Sequence, residues 1–347
     1  MNTLTDTAFW ARQIIKYGII FLVGLILLRI AWQVGFGIYR HFFPEPPPKP
    51  TVQFGKLPKL DFPAQEGIPK FTYTPELPEG NLPTAPESVS VFVQTPPRPS
   101  LVALDQARVV ARKLDFTTGE ESLSDTLYRW RREDVPATLE MNIITGAFSI
   151  SYDLNVDSTP LSFRPPNSEI AAADIRSYLS SANIFPEDFS EGQTNSLFLK
   201  NQNGQLVPAL SLSDANFVRI DFLRANYNDL PVVTPSFKNG NVWFLVTGAS
   251  SERKIIAGEY HYFSAQAEGS STYPIKTSQV AFDELNQGQG FIVNPGSNAN
   301  NVIIRRVYLA YYDNNKSQQF FQPVYVFEGD NGFIAYVPAV TTEYYGQ

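Results

Sequence analysis

The sequence has no cysteine and only two histidines, His41 and His261. Disulfides, thiol nucleophiles and thiolate metal sites are thereby excluded, and most triad and imidazole-metal chemistry goes with them. Charge is also scarce, at 18% of residues. Beyond residue 50, 22 Lys and Arg stand against 32 Asp and Glu, a net charge of −10. That balance disfavours phosphate backbones and anionic lipid surfaces. No nucleic-acid partner, cofactor or metal is therefore expected.

What the chain does have is one long apolar run, YGIIFLVGLILLRIAWQVGFGIY from Tyr17 to Tyr39. At about 1.5 Å per residue, a helix of that length crosses a hydrocarbon core of roughly 30 Å. The run leaves through Tyr39, Arg40, His41, Phe42 and Phe43, with no small-residue cleavage site. It predicts an uncleaved single span behind a short tail of residues 1–16. Arg29, inside the run, either snorkels to an interface or pairs with a second membrane helix, with Gly35 and Gly37 permitting close approach. Basic residues flank both ends, Arg12 and Lys16 before and Arg40 and Lys49 after. Orientation therefore rests on composition. The absence of cysteine and the low charge place the amino terminus in the cytoplasm and the carboxy-terminal body outside it.

Between residues 44 and 99 lie 15 of the 27 prolines, beginning with PEPPPKP. Proline fixes φ and removes a donor, so residues 40–69 read as a stiff, extended spacer. KFTYT at Lys70–Thr74 and SVSVFVQ at Ser88–Gln94 then alternate apolar and polar residues, as edge strands do.

Beyond residue 99 one helix followed by several strands occurs three times, which predicts an α+β fold of repeated helix-plus-antiparallel-sheet units behind the transmembrane helix. The units span 70–164, with the leading edge strands, an enlarged 165–272, and 273–347. The first helix, Leu101–Leu114, has Ser100 as N-cap and Ala103, Ala107, Val110 and Leu114 on one face. A hairpin turning at Thr145-Gly146 follows. The second helix starts near Ser168 and aligns Ala171, Ile175, Tyr178, Leu179 and Ala182. The third, Thr277–Gln287, aligns Val280, Ala281 and Leu285, with Gly288 just past its end. In the strand after it, Ile303, Val307, Leu309 and Tyr311 point to one face while Arg306, Tyr308 and Tyr312 point to the other.

The stretches SLVALDQARVVARKL, SEIAAADIRSYLSS and TSQVAFDELNQ, with MNIITGAFSISY and the closing VYLAYYDNNKSQQFFQPVYVFEGDNGFIAYVPAV, give the chain a resemblance to the PepSY superfamily and to membrane-anchored regulators of the YycH/YycI type. Through LAYYD, QPVYVFEGD, YVPAV and SDTLYRW it is also similar, over nearly its whole length, to a group of single-span proteins of candidate-phylum bacteria. The first resemblance implies an extracytoplasmic module that binds a peptidase, a cell-wall enzyme or a sensor kinase. It supplies no catalytic residues.

Four local patterns invite chemical readings. Ser251–Lys254 reads S-E-R-K, but it falls between strand-like runs where a connecting turn is expected, not the helix start that an S-x-x-K nucleophile needs. His261 in EYHYF has Glu259 on the same face and no second histidine nearby. Arg129, Arg131 and Arg132 surround Trp130, as a grip for anions or as a solvated hairpin end. Asp313, Asn314 and Asn315 suit calcium, yet the glycine and terminal glutamate of an EF-hand loop are missing. No catalytic residue is therefore assigned. The expected partner contacts are Arg29, within the membrane, and Tyr308, Tyr312, Tyr344 and Tyr345 on a second sheet face or the tail. The expected function is a non-enzymatic, membrane-anchored regulator that binds an envelope protein, the alternative being a glycan-binding protein or a hydrolase with a carboxylate pair.

Overall fold

A computed structural model describes residues 4–42, 49–94, 96–297 and 300–346. Residues 43–48, which include Phe43 and the first prolines of the expected spacer, lie outside the described residues, as does the start of the expected tail. The chain forms two compact units, Met1–Lys49 and Pro50–Gln347. The first is the helix α1 (Leu4–Phe42), so the expected tail is helical from Leu4 on. Within it Ile15–Phe36, 22 residues of mean hydropathy 2.2, is long and apolar enough to cross a membrane. Arg29 is exposed along this helix.

The second unit mixes helix and sheet, with sheet predominant. It opens with β1 (Thr72–Pro75) and β2 (Ser88–Gln94), then α2 (Ala103–Lys113). Strands β3 (Thr118–Ser122), β4 (Leu127–Arg131), β5 (Ala137–Asn142) and β6 (Phe148–Tyr152) lead to α3 (Ser168–Ser181) and the single turn α4 (Glu187–Ser190). Next come β7 (Thr194–Gln202), β8 (Gln205–Pro208), β9 (Phe217–Phe222), β10 (Val232–Val233) and β11 (Val242–Val246). A second single turn, α5 (Ser251–Lys254), precedes β12 (Ile255–Tyr260) and β13 (Ala265–Pro274). The chain closes with α6 (Ser278–Asn286), β14 (Phe291–Asn294), β15 (Asn301–Tyr312), β16 (Phe320–Gly329) and β17 (Ile334–Pro338).

Each long helix of the second unit forms where an apolar face coincides with a start signal. The Asn167 side chain accepts from Ile170 N–H and caps α3, and Thr277 Oγ1 accepts from Val280 N–H and caps α6. Ser100 serves α2 less directly, accepting from Val102 N–H at 3.3 Å. The buried faces are Ala103, Ala107 and Ala111 on α2, then Ala171, Ile175 and Leu179 on α3. On α6 Ala281, Phe282 and Leu285 face inward, while Val280, expected on that stripe, is exposed. Burying Phe282 removes more apolar area than burying Val280, and the helix is rotated accordingly.

The strands assemble into two sheets that cut across the three expected units. A nine-stranded antiparallel sheet runs β3-β4-β5-β6-β12-β11-β9-β7-β8. The boundary expected at 164/165 therefore falls inside it, with β6 pairing β12 from Phe148↔Tyr260 to Ser151↔Ala257. Its inner face, including Leu139, Ile150, Ile220 and Phe244, shares one core with α2 and α3. Its outer face is polar, with Thr138 bonded to Ser151 and Arg129 to Glu140. The second sheet runs β1-β15-β16-β17-β14, with β10 beside β15 and β2 beside both β13 and β16. The leading strands, expected in the first unit, thus join the last. Period-two alternation marks a strand without naming its partner.

The expected spacer also ends earlier than residue 69. From Thr51 on the chain is fastened to the second sheet: Val52 N–H donates to the Thr272 carbonyl, and Leu57 N–H to the Tyr344 carbonyl. The Gln322 amide reaches the Pro58 carbonyl. Leu57 is fully buried with Val91, Tyr273 and Val340, so proline density here marks an extended, docked segment. Leu57→Ala should cost about 2–5 kcal/mol of stability, read by denaturant unfolding, and speed proteolysis between residues 50 and 65. Neither would change if this stretch were a free spacer.

Candidate functional site

The groups singled out from the sequence for chemistry are mostly engaged in internal pairs. Ser251–Lys254 is one helical turn, not a loop; Ser251 Oγ donates to Glu252 Oε1, and Lys254 Nζ pairs with Asp174 Oδ2 at 2.8 Å. The lysine is thereby held by an acid rather than beside the serine. His261 lies 3.8 Å from Glu259, and burial holds it below the ordinary imidazole range, with Glu259 pulling the other way. Arg129 pairs with Glu140 and Glu121, and Arg131 with Glu121. Arg132 is buried, donating to the Glu252 and Leu114 carbonyls. The basic knot is a set of cross-strand pairs and one buried rivet, with no common anion grip.

The expected tyrosine contact surface divides in the same way. Tyr312 does lie on the sheet face opposite Tyr311, but it is fully buried, with the Phe62 ring 4.8 Å away. The docked segment that covers it was expected to be spacer. Tyr345 Oη accepts from Leu60 N–H, and the Tyr344 ring lies 6.2 Å from that of Tyr273, so both tie the tail to the sheet. Tyr308 stays half-buried, donating to Glu328 Oε1 at 2.7 Å with Arg306 3.3 Å from Glu328 Oε2. Burial, reinforced by that carboxylate, raises the Tyr308 phenol far above its ordinary value. Arg29 belongs to the helical unit.

The same face of the sheet continues beyond Tyr308. A cavity of about 530 Å³ there is lined by Phe237, Lys238, Val293, Glu328 and Ile334 among others. Phe237 adopts φ +60, the left-handed region, at a cost of about 1–3 kcal/mol for such a residue. Its loop is over-determined: Phe237 N–H donates to the Thr234 carbonyl, and Thr234 Oγ1 donates to the Asn239 carbonyl. From the sheet, Tyr336 Oη donates to the same Thr234 carbonyl. Thr234 and Tyr336 thereby hold the loop that carries this strained aromatic at the cavity wall. On the opposite face of β14 a second cavity, about 490 Å³, is lined by Lys70, Phe71, Tyr73, Leu285 and Ile292 among others.

Between the two sheets sits a charge cluster that no sequence pattern announced. Arg224, completely enclosed, lies 2.9 Å from Asp313 and 3.5 Å from Asp188, and donates to the Phe263 carbonyl at 2.6 Å. The Tyr262 ring lies 4.5 Å from its guanidinium. Two carboxylates share one guanidinium, leaving one negative charge in excess. Burial pushes the Asp313 carboxyl up to about 6; Arg224 opposes the rise and Asp188 adds to it. Asp313 therefore serves as a joint in the fold, not as a calcium ligand.

No family model matches the chain, and no curated protein matches it. Among solved structures it is similar to the crystal structure of an uncharacterized protein from Eubacterium rectale ATCC 33656, at 11% identity and a TM-score of 0.41, over 78% of this chain and 89% of that one.

Because the folded carboxyl of Asp313 titrates above its unfolded value of 3.8, the native cluster holds a proton between about pH 4 and about pH 6 that the unfolded chain lacks. The cluster therefore adds stability as pH falls through that window. Asp313→Asn fixes the neutral form that burial favours, so it should not lower stability at about pH 7 and should remove the gain on acidification. Denaturant unfolding at about pH 7 and about pH 4.5 reads both, and parallel pH profiles for the two proteins would contradict the assignment.

Proposed function

We propose that this is a non-enzymatic, single-span membrane protein whose body, residues 50–347, lies outside the cytoplasm and binds another envelope protein. A peptidase, a cell-wall enzyme or a sensor kinase would be regulated or localised by that contact, in the manner of PepSY-like and YycH/YycI-type regulators. Three features support the reading. The stretch Ile15–Phe36 has the length and hydropathy of a membrane anchor. A helix followed by antiparallel strands recurs at α2 with β3–β6 and at α6 with β14–β17. The observation that carries most weight is the cavity of about 530 Å³ on the second sheet, where Phe237, in the left-handed region, shares a wall with Val293, Ile334 and several polar side chains.

A hydrolase reading has less behind it. It requires two carboxylates about 5–10 Å apart across a cleft. Among the described residues Glu328 is the only carboxylate lining the 530 Å³ cavity, and Tyr308 and Arg306 engage it.

A photo-crosslinking amino acid replacing Phe237 in the full chain should capture one envelope protein in intact cells. The same residue replacing Ser149, on the polar face of the first sheet, should not. Protease added outside spheroplasts should cut within residues 50–347. Absence of any adduct, together with turnover of wall fragments by the purified protein, would replace this reading with the hydrolase.

A further inference from the structure

Strand β14 ends the second sheet, with β17 on one side and no strand on the other among the described residues. On the open side its backbone is engaged by a side chain. Ile292 N–H donates to Gln65 Oε1 at 3.0 Å, and Gln65 Nε2 donates to the Ile292 carbonyl at 2.5 Å. A carboxamide making both bonds presents the donor and acceptor that a residue of a neighbouring strand would present.

The segment carrying Gln65 is a strap and cannot be a strand. Pro63 and Pro69 lack donors, and Gly67 takes φ +68. The strap is pinned at its ends by aromatic contacts, Phe62 stacked on Phe291 at 4.9 Å and Phe71 against Phe333 at 5.5 Å. Between these pins the two Gln65 bonds are the only hydrogen bonds of residues 63–71 among the described residues.

The two cavities lie on opposite faces of this one edge strand. Ile292 lines the 490 Å³ cavity beside α6, and its neighbour Val293, turned the other way by the pleat, lines the 530 Å³ cavity. A strand laid along β14 would present successive side chains to one and then the other. Each cavity has a lysine in its wall, Lys70 and Lys238, and neither makes an ion pair among the described residues. Glu328 is already matched by Arg306. In a body that carries ten excess negative charges, this edge is locally suited to an acidic segment.

We propose that the free edge of β14 is a strand-addition site for an extended peptide segment, apolar at alternate positions and flanked by acidic residues, and that Gln65 holds the place of one of its residues. The proposal deepens the partner-binding reading by naming how the partner is held. With no partner present, the carboxamide blunts an edge that would otherwise pair with any exposed strand.

The test uses the full chain in detergent and a synthetic acetylated, amidated peptide of alternating valine and threonine flanked by glutamates. Gln65→Ala should bind this probe about tenfold more tightly than the wild type, since a competing pair of hydrogen bonds is gone. The same peptide N-methylated at its central backbone amides should lose binding. In the free variant the Ile292 amide should exchange with solvent faster than in the wild type, and adding the probe should slow it again. Equal binding of the methylated and unmethylated probes would overturn the proposal, as would no binding to a variant whose Ile292 amide exchanges faster. Unchanged Ile292 exchange in Gln65→Ala would overturn it too. If crosslinking from position 237 persists in cells while the peptide results fail, strand addition alone is rejected; if both fail, so is partner binding.

Discussion

One guanidinium holds the two sheets in register. Arg224 follows β9 and Phe263 follows β12, both strands of the nine-stranded sheet, and Asp188 lies on α4, whereas Asp313 follows β15 of the other sheet. The enclosed charge cannot be left without a partner, because water no longer reaches it. Any sliding of the sheets that separated Arg224 from Asp313 would leave the buried Asp313 without its counter-charge. The cluster is also tied sideways: the Asn241 amide donates to the Asp313 carbonyl, and Asp313 N–H donates to the Val233 carbonyl. The 234–239 loop, which presents Phe237, runs between Val233 and Asn241 and is thus fixed at both roots by the same joint.

Buried phenols do for the irregular segments what Arg224 does for the sheets. Tyr273, Tyr311, Tyr325 and Tyr336 are fully enclosed, and each donates to a carbonyl from another part of the chain: Gly55, Ser90, Lys276 and Thr234. A buried hydroxyl needs a partner, and here each finds it on backbone that lies off its own strand. In this way an extended, proline-rich entry segment and a strained loop become part of a core without regular pairing of their own. The strap of residues 63–71 is the exception, with one carboxamide where its neighbours have several bonds.

Legibility from the sequence followed the physics of each feature. The faces of α2 and α3 were readable because a period near 3.6 is a local property, and so was the cap at Thr277, three residues from the amide it accepts from. Pairing was not readable, since β1 meets β15 and β2 meets β13 across most of the body, and nothing local records such a meeting. Tyr312 was placed on the correct face by alternation, yet whether that face met water depended on Phe62, far away in the chain. Arg224 looked like any strand-end cation in NFVRIDFLR, and Gln65 like any exposed glutamine in a proline-rich stretch. Phe237 carried no signal, because a left-handed aromatic is imposed by Thr234 and Tyr336 and not by its own preference.

The edges of the sheets show where this economy stops. In the nine-stranded sheet β8 closes one side as a short strand ending at Pro208, and β3 closes the other with exposed, acidic residues, both familiar ways of discouraging a further strand. In the second sheet β1 lies along one margin in parallel register with β15, and residues 51–60 are fastened along β13 and the tail. At β14 the cover is thinner: two bonds from one side chain, with room on either face of the strand. A protein that fastens its entry segment, its tail and its loops to the core with buried phenols and carbonyls has the means to seal this margin equally well. It does not do so here: the lighter fastening falls at a strand that has a cavity of about 490 Å³ on one face and one of about 530 Å³ on the other.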